Sequence, residues 1–465
     1  MGLGVNGSMK NSSKIGFLSA IVALGGFLFG YDTAIISGTI GLVKTQFNLT
    51  TMMEGWYVSS ALIGTILGVS VAGFLSDRYG RKNMLIVSGL FFALSAIGCS
   101  LSESFNHLVT YRILGGVGIG IASMLSPLYI SEIAPANNRG KLVSLYQLAI
   151  TIGILIAYFV NSYLFTLSTI DGLNHHRFYG IEVWRIMLGT EILPVAIFLL
   201  LLFVIPKSPR WLIMKGKKIR AKKIMNGLMT DLEANKEIRN IEEVLSEKVS
   251  GLKSIFSSQF KWPIIIGVSL ALFSQFSGIN AIIYYGPQIL EKGGLHFGEA
   301  LNSQVLIGIV NVLFTFLAIW KIDSLGRKPL LKYGISGIMI SLFIVGLLFF
   351  LEVNNVYLLM TFILTFLACF SFSYGPVLWV LLSEIYPIKI RGITMSMATL
   401  ALWVGNSIVG QMTPWLLENI NPFGTFWLFS ILMFPAIYLV FRVLPETKGK
   451  TLEEIEKYWI SIKTK

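Results

Sequence analysis

Twelve long apolar stretches separated by polar segments constrain the fold of this chain more than any other feature. They lie at about 15–40, 56–76, 83–101, 108–131, 141–164, 184–205, 262–290, 300–321, 330–351, 356–382, 392–416 and 423–444. About 20 apolar residues are needed for a helix to cross a bilayer. Only 13% of the residues are charged, about half the usual share of a soluble protein. The sequence predicts an all-α membrane protein with twelve transmembrane helices, here called spans 1 to 12.

The distribution of basic residues predicts the topology. An even number of spans places both termini on one side of the membrane, and the first apolar run is too long for a signal peptide. The polar segments expected on the side of the termini are rich in Lys and Arg, whereas those on the opposite side carry few. On the side of the termini they are Arg78, Arg81, Lys82, Arg139, Lys141, Lys321, Arg327, Lys328, Lys389 and Arg391, and on the opposite side Lys44, Arg177 and Lys292. The positive-inside rule therefore predicts cytoplasmic termini in a cell membrane, plasma or bacterial inner. The net charge of +13 is then a topology signal, and no nucleic-acid partner is expected.

One long polar segment, 207–261, divides the twelve spans into two sets of six. It contains thirteen Lys or Arg and six Asp or Glu, with helical patterning at 219–229 and 238–249. We interpret it as a cytoplasmic helical linker. Its basic face could contact anionic lipids or could simply be solvated.

The two sets of spans carry an internal repeat. Asp77-x-x-Gly80-Arg81-Lys82 recurs as Asp323-x-x-Gly326-Arg327-Lys328, Ser131-Glu132 recurs as Ser383-Glu384, and Pro206 and Pro445 begin the segments that close the halves. Duplicated six-span halves are typical of transporters whose binding site lies between the halves at the membrane midplane. The predicted domains are a first bundle at 1–206, the linker at 207–261, a second bundle at 262–445 and a cytoplasmic tail at 446–465.

A carboxylate within span 1, Asp32, is the strongest candidate for function. An ionised group is costly inside a membrane, so its default interpretation is functional, although it could instead bond a neighbouring helix. Counted from the outer ends of their spans at about 1.5 Å per residue, Asp32, Arg112 and Glu191 lie at similar depths. Arg112 would hold Asp32 ionised, whereas burial and Glu191 would favour its neutral form. Such a balance suits proton uptake in one conformation and release in another, while Arg112 could alternatively extend to the outer interface.

Four motifs resemble those of the sugar porter family of the major facilitator superfamily. They are Gly73-x-x-x-Asp77-Arg78-x-Gly80-Arg81-Lys82, Pro206-x-Ser208-Pro209-Arg210, Gln275-x-x-Gly278-Ile279-Asn280 and Pro445-Glu446-Thr447-Lys448-Gly449. The resemblance covers essentially the whole chain and extends to bacterial xylose–proton symporters and facilitative glucose transporters. It implies two pseudo-symmetric six-helix bundles joined by cytoplasmic helices. It also implies proton coupling, because proton-coupled members carry an acid at the position of Asp32 and facilitators commonly carry Asn.

Amide side chains within the apolar spans indicate a sugar site. Gln147, Gln275, Asn280, Asn311 and Asn406 can each donate and accept hydrogen bonds, and Trp379 and Trp403 offer flat apolar surfaces. Each amide alone could merely join helices. The resemblance implies that these seven residues bind sugar, with Phe29 and Tyr284 as gate and pocket aromatics. Ser274, Ile154 and Leu402 replace polar residues of relatives, which favours a hexose such as glucose and leaves a pentose or cyclitol open.

Acidic and basic residues are paired in the cytoplasmic loops of both halves. They are Asp77, Arg81, Glu132, Arg139, Asp323, Arg327, Glu384 and Arg391. They could be solvated topology markers, but we expect an inner gate whose ion pairs form when that side closes. We also expect spans 7 and 10 to bend, at Gly278 and at Gly375-Pro376.

The sequence thus predicts a proton-coupled monosaccharide symporter that works as a monomer by alternating access, and not an enzyme. The rivals are a facilitative uniporter, against which Asp32 argues, and a membrane sugar sensor, which would be expected to carry a long cytoplasmic tail. No cofactor is expected, because Leu444 stands where a phosphate-binding loop ending at Lys450-Thr451 needs its first glycine. No metal site is expected either, since His175-His176 are interpreted as a polar loop.

Overall fold

The computed structural model describes residues 3–135, 139–170, 177–178, 180–246, 261–386, 391–450, 454–455 and 458–459. Within these ranges, the side chains of residues 3–12, 139, 170, 178, 244–246, 323, 391 and 392 are not described. Arg139, Asp323 and Arg391 are thus placed by their backbone alone, and His175-His176 lie outside the described residues.

The first half contains eight helices and a short hairpin within the described residues. The elements are α1 (Leu3–Ile35) with a 3₁₀ turn (Ile36–Gly38), α2 (Ile40–Phe47), α3 (Thr51–Tyr79), α4 (Arg81–Ser100), α5 (Phe105–Ile133), α6 (Arg139–Ile170), β1 (Arg177–Phe178), β2 (Ile181–Glu182), α7 (Val183–Gly189) and α8 (Ile192–Leu202). The two strands pair antiparallel, with Phe178 opposite Ile181.

The rest of the described chain is also helical. Three short helices follow the first half: α9 (Pro209–Met214), α10 (Lys218–Asn226) and α11 (Asp231–Ser246). The second half contains α12 (Lys261–Phe276), α13 (Ile279–Lys292), α14 (Phe297–Leu325), α15 (Arg327–Phe350), α16 (Val356–Phe372), α17 (Tyr374–Ile385), α18 (Arg391–Asn419), α19 (Asn421–Tyr438) and a π-helical turn (Leu439–Val443).

The prediction of twelve spans is confirmed. Twelve segments of the described chain are helical, long and apolar enough to cross a membrane. Each overlaps a predicted stretch, and most boundaries agree within a few residues. The chain is therefore a multi-pass all-α membrane protein.

Three of the spans are broken by residues that a straight helix does not accommodate. Span 7 breaks between α12 and α13, where Gly278 adopts φ 79°, a conformation that favours glycine. Span 10 breaks at Ser373, between α16 and α17. The predicted position, Gly375-Pro376, lies just after that break because the ring of Pro376 excludes the carbonyl four residues earlier.

The break in span 6 was not predicted. It separates α7 from α8 at Thr190-Glu191. Pro194 explains it, since proline lacks the N–H of a regular helix and clashes with the carbonyl of residue 190. Because of this break, Glu191 lies in a turn between two helices.

Within each half the helices pack closely, and two pairs of helices form the most extensive contacts between the halves. In the first half α1 packs against α6 and α3 against α5, while in the second α12 packs against α18 and α15 against α19. Between the halves, α3 contacts α18 and α6 contacts α14. Glycine permits the tightest approach, because a Cβ on Gly116 would lie 1.9 Å from the carbonyl oxygen of Ala61.

The two ends of the bundle differ in what covers them. One end, here called the terminal face, carries helices α9–α11 and residues 444–450, 454–455 and 458–459. There the indole N–H of Trp211 donates to the carbonyl of Asp77 at 3.1 Å, and that of Trp459 donates to the carbonyl of Ile385 at 3.1 Å. The opposite end, the distal face, carries α2 and the β-hairpin, and the indole N–H of Trp184 donates to Gln46 Oε1 at 2.6 Å.

The linker helices have a small apolar core of their own. It is formed by Trp211, Leu212, Ile213, Ala221, Met225, Met229, Ala234 and Ile241. The predicted helical patterning at 219–229 overlaps α10, and the segment at 238–249 overlaps the end of α11. Residues 247–260 lie outside the described chain.

Candidate functional site

The centre of the candidate site is an ion pair buried between α1 and α5. Arg112 Nη1 donates to Asp32 Oδ1 at 2.7 Å, and each side chain is 3% exposed. Removing one partner of such a pair costs about 3–5 kcal/mol, because the other charge remains buried. Asp32 therefore has the partner that its position in span 1 required.

Glu191 is the third ionisable group at this level of the membrane. Its side chain is buried at the break between α7 and α8, and it interacts electrostatically with both Asp32 and Arg112. Among the described residues, no hydrogen bond reaches its Oε1. Glu191 is thus close enough to influence the ion pair without belonging to it.

A hydrogen bond that the sequence did not predict ties Asp32 to the broken helix. The hydroxyl groups of Tyr31 and Thr190 are 2.8 Å apart, and Thr190 Oγ1 also donates to the carbonyl of Met187 at 2.5 Å. Tyr31 precedes Asp32 and Thr190 precedes Glu191, so this bond couples the backbone positions of the two acids. Pro194 is the one signal in the sequence that could have located the break.

A small cavity joins the ion pair to candidate sugar-binding residues. It is lined by Phe29, Asp32, Thr33, Val58, Ala61, Leu62, Arg112, Ile119, Tyr284 and Trp403. The rings of Phe29 and Trp403 have centroids 5.3 Å apart. The hydroxyl of Tyr284 donates to Asn406 Oδ1 at 3.1 Å. One cavity therefore brings residues of both halves next to the carboxylate.

Three of the remaining amides, Gln275, Asn280 and Asn311, lie in two hydrogen-bonded groups in the second half. Asn280 Nδ2 donates to Gln275 Oε1 at 2.6 Å, so these side chains are adjacent across the break in span 7. Asn311 Oδ1 accepts from Ser371 at 2.8 Å. Gln147 is half-buried, whereas Trp379 is exposed, at 37%. The structure thus groups Gln275 with Asn280 and places Asn406 beside the cavity, while Gln147, Asn311 and Trp379 do not line it.

Ser274, Ile154 and Leu402 are the positions at which we expect relatives to carry polar residues. Ser274 accepts a hydrogen bond from Gln275 Nε2 at 3.0 Å, which occupies one donor of that amide. Ile154 and Leu402 are buried apolar residues.

The charges at the terminal face form matching clusters in the two halves. Glu132 accepts from Arg81 Nε at 3.1 Å and from the hydroxyl of Ser208. Glu384 accepts from Arg327 Nη2 at 2.9 Å and from Thr447 Oγ1 at 2.6 Å. Asp77 adds a 2.8 Å ion pair to Arg81. These pairs lie within single halves, so they do not by themselves join the two bundles.

Hydrogen bonds between the halves cluster near the distal face among the described residues. Gln288 Nε2 donates to Glu54 Oε1 at 2.7 Å, Ser37 lies 2.8 Å from Gln304 Oε1, and Ser59 donates to Gln411 Oε1 at 2.6 Å. Glu54, Ser37 and Ser59 belong to the first half, and Gln288, Gln304 and Gln411 belong to the second half. The distal ends of the bundles are therefore held together in this structure.

Repeated six-span halves, broken helices and a buried ion pair beside a cavity between the halves define a secondary transporter of the major facilitator type. The family model described as "Sugar (and other) transporter" matches residues 18–459. The chain belongs to this family of transporters.

Similar proteins include two named sugar–proton symporters. The arabinose-proton symporter of Bacillus subtilis (strain 168) is 40% identical over 460 residues, 98% of each chain. The D-xylose-proton symporter of Escherichia coli (strain K12) is 38% identical over 483 residues, which cover 97% of this chain and 96% of the symporter.

Solved structures of the xylose transporter XylE from Escherichia coli share the fold. A partially occluded inward-open conformation matches with a TM-score of 0.83 at 35% identity, covering 94% of this chain and all of the other. A structure of XylE bound to 6-bromo-6-deoxy-D-glucose matches with a TM-score of 0.81 at 36% identity, covering 97% of this chain and all of the other. These matches confirm the predicted family and fold.

Proposed function

We propose that this protein is a proton-coupled symporter that imports a monosaccharide, a hexose or a pentose, by alternating access. The observation that carries the proposal is the Asp32–Arg112 ion pair in the wall of a cavity that also holds Phe29, Tyr284 and Trp403. A change in the protonation of Asp32 would alter the wall of the cavity that takes the sugar. The named activities of the arabinose and xylose symporters support the same function.

In the proposed cycle, a proton taken up by Asp32 breaks its ion pair with Arg112. The guanidinium then turns to Glu191, whose Oε1 has no hydrogen bond among the described residues. Sugar binding draws the two halves together around the neutral site. When the proton leaves on the other side, Arg112 recaptures Asp32 and resets the carrier.

The proposed sugar site uses the polar and aromatic residues named above. Tyr284 and Asn406, hydrogen-bonded to each other, would bind hydroxyl groups, while Phe29 and Trp403 would pack on the C–H face of the sugar. Gln275 and Asn280 bond each other and would exchange that bond for sugar hydroxyls. Gln147, Asn311 and Trp379 would contact the sugar once the halves close around it.

The placement in the membrane is also part of the proposal. The terminal face would be cytoplasmic in a cell membrane, with 1–206 and 262–445 as the two moving bundles, 207–261 as their linker and 446–465 as the tail. The monomer would be the working unit. Glu132, Glu384 and their basic partners would form part of the cytoplasmic gate, by making contacts between the halves when that side closes. Replacing Glu384 with Gln should then increase labelling of a cavity cysteine from that side.

Uptake into proteoliposomes tests the function directly. Radiolabelled arabinose, xylose, glucose and a cyclitol would be supplied with and without an inward proton gradient. Each unit of pH difference supplies about 1.4 kcal/mol, enough for a tenfold sugar gradient at one proton per sugar. Accumulation that follows the pH difference supports symport. Equilibration of a sugar without accumulation would identify a facilitative uniporter instead.

A further inference from the structure

The hydroxyl group of Tyr31 begins a short chain of hydrogen bonds beside the two buried acids. It lies 2.8 Å from Thr190 Oγ1, and Thr190 Oγ1 donates to the carbonyl of Met187 at 2.5 Å. A threonine hydroxyl has one hydrogen and two lone pairs, so Tyr31 is the donor and Thr190 the acceptor. The chain therefore runs from α1 to the end of α7, next to the break at Glu191.

The carboxyl group of Glu191 is buried beside this chain and needs a donor whenever it is ionised. Glu191 is 3% exposed, and its Oε1 accepts no hydrogen bond among the described residues. A buried carboxylate without hydrogen bonds is costly. The ionisable groups that interact electrostatically with Glu191 are Asp32 and Tyr31 on α1, Arg112 on α5 and Cys99 on α4. Helix α6, which also packs on α7, carries no charged residue after Lys141.

Arg112 and Tyr31 are the two groups of this set that can donate a strong hydrogen bond to Glu191. While Arg112 holds Asp32 at 2.7 Å, the hydroxyl of Tyr31 is the donor that can move without breaking an ion pair. Its present acceptor loses little, because Thr190 Oγ1 keeps its own bond to the carbonyl of Met187. The move therefore leaves no buried donor unpaired, which is the costly outcome.

We propose that Tyr31 is a positioning residue of the proton site: its hydroxyl donates to Thr190 while Glu191 is protonated and to Glu191 while that acid is ionised. Tyr31 thereby determines how readily Glu191 ionises. A charge on Glu191 favours the protonated form of Asp32, whereas a neutral Glu191 leaves Arg112 to hold Asp32 ionised. The inference rests on the proposed function, in which sugar binding follows the protonation of Asp32.

The two ends of the hydrogen bond can be removed separately with little change in packing. Tyr31 is 2% exposed, and its ring stacks on that of Phe27 with centroids 5.9 Å apart. Tyr31→Phe keeps the ring and removes the donor, while Thr190→Val keeps the shape of the side chain and removes the acceptor. Both variants break the same bond, but they leave Glu191 in opposite situations.

Calorimetric titration of the purified full-length protein at a series of pH values tests the inference. The titrant would be whichever of arabinose, xylose and glucose the uptake assay shows to be transported. In Tyr31→Phe, Glu191 loses a donor and stays neutral to higher pH, so Asp32 releases its proton at lower pH and the midpoint of sugar binding should move down. In Thr190→Val, Tyr31 turns to Glu191 and the midpoint should move up. We expect shifts of about half a pH unit or more, since a hydrogen bond to a charged group corresponds to about one to two units at the acid itself.

Tyr129→Phe and Thr425→Val are the matched controls. Tyr129 is buried and donates to the carbonyl of Pro206 at 2.6 Å at the terminal face, and Thr425 Oγ1 donates to the carbonyl of Asn421 at 2.9 Å in α19. Neither control should move the midpoint. Shifts of Tyr31→Phe and Thr190→Val in the same direction, or no shift in either, would overturn the inference, because a purely structural bond is lost equally in both.

A Glu191→Gln background gives a second test that does not depend on the folding of Thr190→Val. In that background Tyr31→Phe should cause no further shift, because the acid through which it acts is absent. A shift that persists would overturn the inference and leave the proposed symport intact. Sugar binding that does not vary with pH in the unmodified protein would instead overturn the proposed coupling, and this inference with it.

Discussion

At the scale of single residues, the sequence best predicts the positions of charged residues within the apolar spans. Asp32, Arg112 and Glu191 were grouped by depth alone, and the structure brings them together around one ion pair. Tyr31 and Thr190 were missed because hydroxyl groups are common in membrane helices and give no pattern. The departures at Ser274, Ile154 and Leu402 stay predictions from the resemblance, whereas the structure shows that Ser274 occupies a donor of Gln275.

Asp32→Asn tests the coupling role, because Asn mimics the protonated acid at nearly constant volume. We expect accumulation and sugar-induced proton uptake to be lost, while downhill sugar exchange survives. Asp231→Asn, on an exposed linker helix, should leave coupling intact. If Asp32→Asn still concentrates sugar, coupling resides elsewhere and Glu191 is the next acid to replace.

Gln275→Ala and Asn280→Ala test the proposed sugar contacts. Each change leaves a sugar hydroxyl without a partner, at a cost of about 1–3 kcal/mol, so affinity should fall roughly five- to 150-fold. Calorimetric titration with the transported sugar measures this directly. Asn419→Ala, an exposed amide at the end of α18, serves as the control. Unchanged affinity in both pocket variants would remove these residues from the site.

At the scale of helices, apolar length predicted where the spans lie, whereas local backbone chemistry decided where they break. Hydropathy is averaged over many residues, so it does not predict a helix break at a single residue such as Ser373 or Pro194. Gly278 was identified because glycine within an apolar span is a known weak point. The broken spans concern the site directly, since Glu191 and the Gln275–Asn280 pair lie at breaks.

Gly278→Ala should destabilise the protein because its backbone conformation is left-handed. A Cβ there would also lie 2.6 Å from the ring of Phe429. We expect a loss of about 1–3 kcal/mol, measured as a lower thermal unfolding midpoint. Gly375→Ala is the matched control, because its Cβ would meet nothing closer than 3.8 Å. Equal effects of the two substitutions would contradict this account of the break.

At the scale of the whole molecule, the internal repeat predicts the architecture of two halves but not the conformational state of the protein. The twelve spans, their division into halves and the family follow from motifs in the sequence. The closed distal face depends on polar contacts between distant residues, such as Glu54 with Gln288, which no local pattern predicts. A single sequence encodes every state of the cycle, so it cannot indicate which one a structure adopts.

Gln288→Ala should shift the population towards opening at the distal face. It removes a hydrogen bond to the buried carboxylate of Glu54 that exists only while the halves are together there. A loss of about 1–3 kcal/mol corresponds to a five- to 150-fold change in the ratio of the states. Labelling of a cavity cysteine from the distal side should increase, whereas Thr45→Ala, exposed on α2 and bonded only within its helix, should not change it. An unchanged labelling rate would show that this bond does not control opening.

In the proposed cycle, the charges around the ion pair would also determine which half of the transport cycle responds to voltage. If Asp32, Arg112 and Glu191 are all ionised, the empty site carries a net charge of −1 and the protonated, loaded site carries none. The membrane potential would then act on the return of the empty carrier, at about 2.3 kcal/mol per elementary charge for each 100 mV. If Glu191 keeps a proton of its own, the empty site is neutral and the loaded site carries +1, so the potential would act on the inward step. Transient electrical currents recorded before steady state would therefore reveal the protonation of Glu191 during transport.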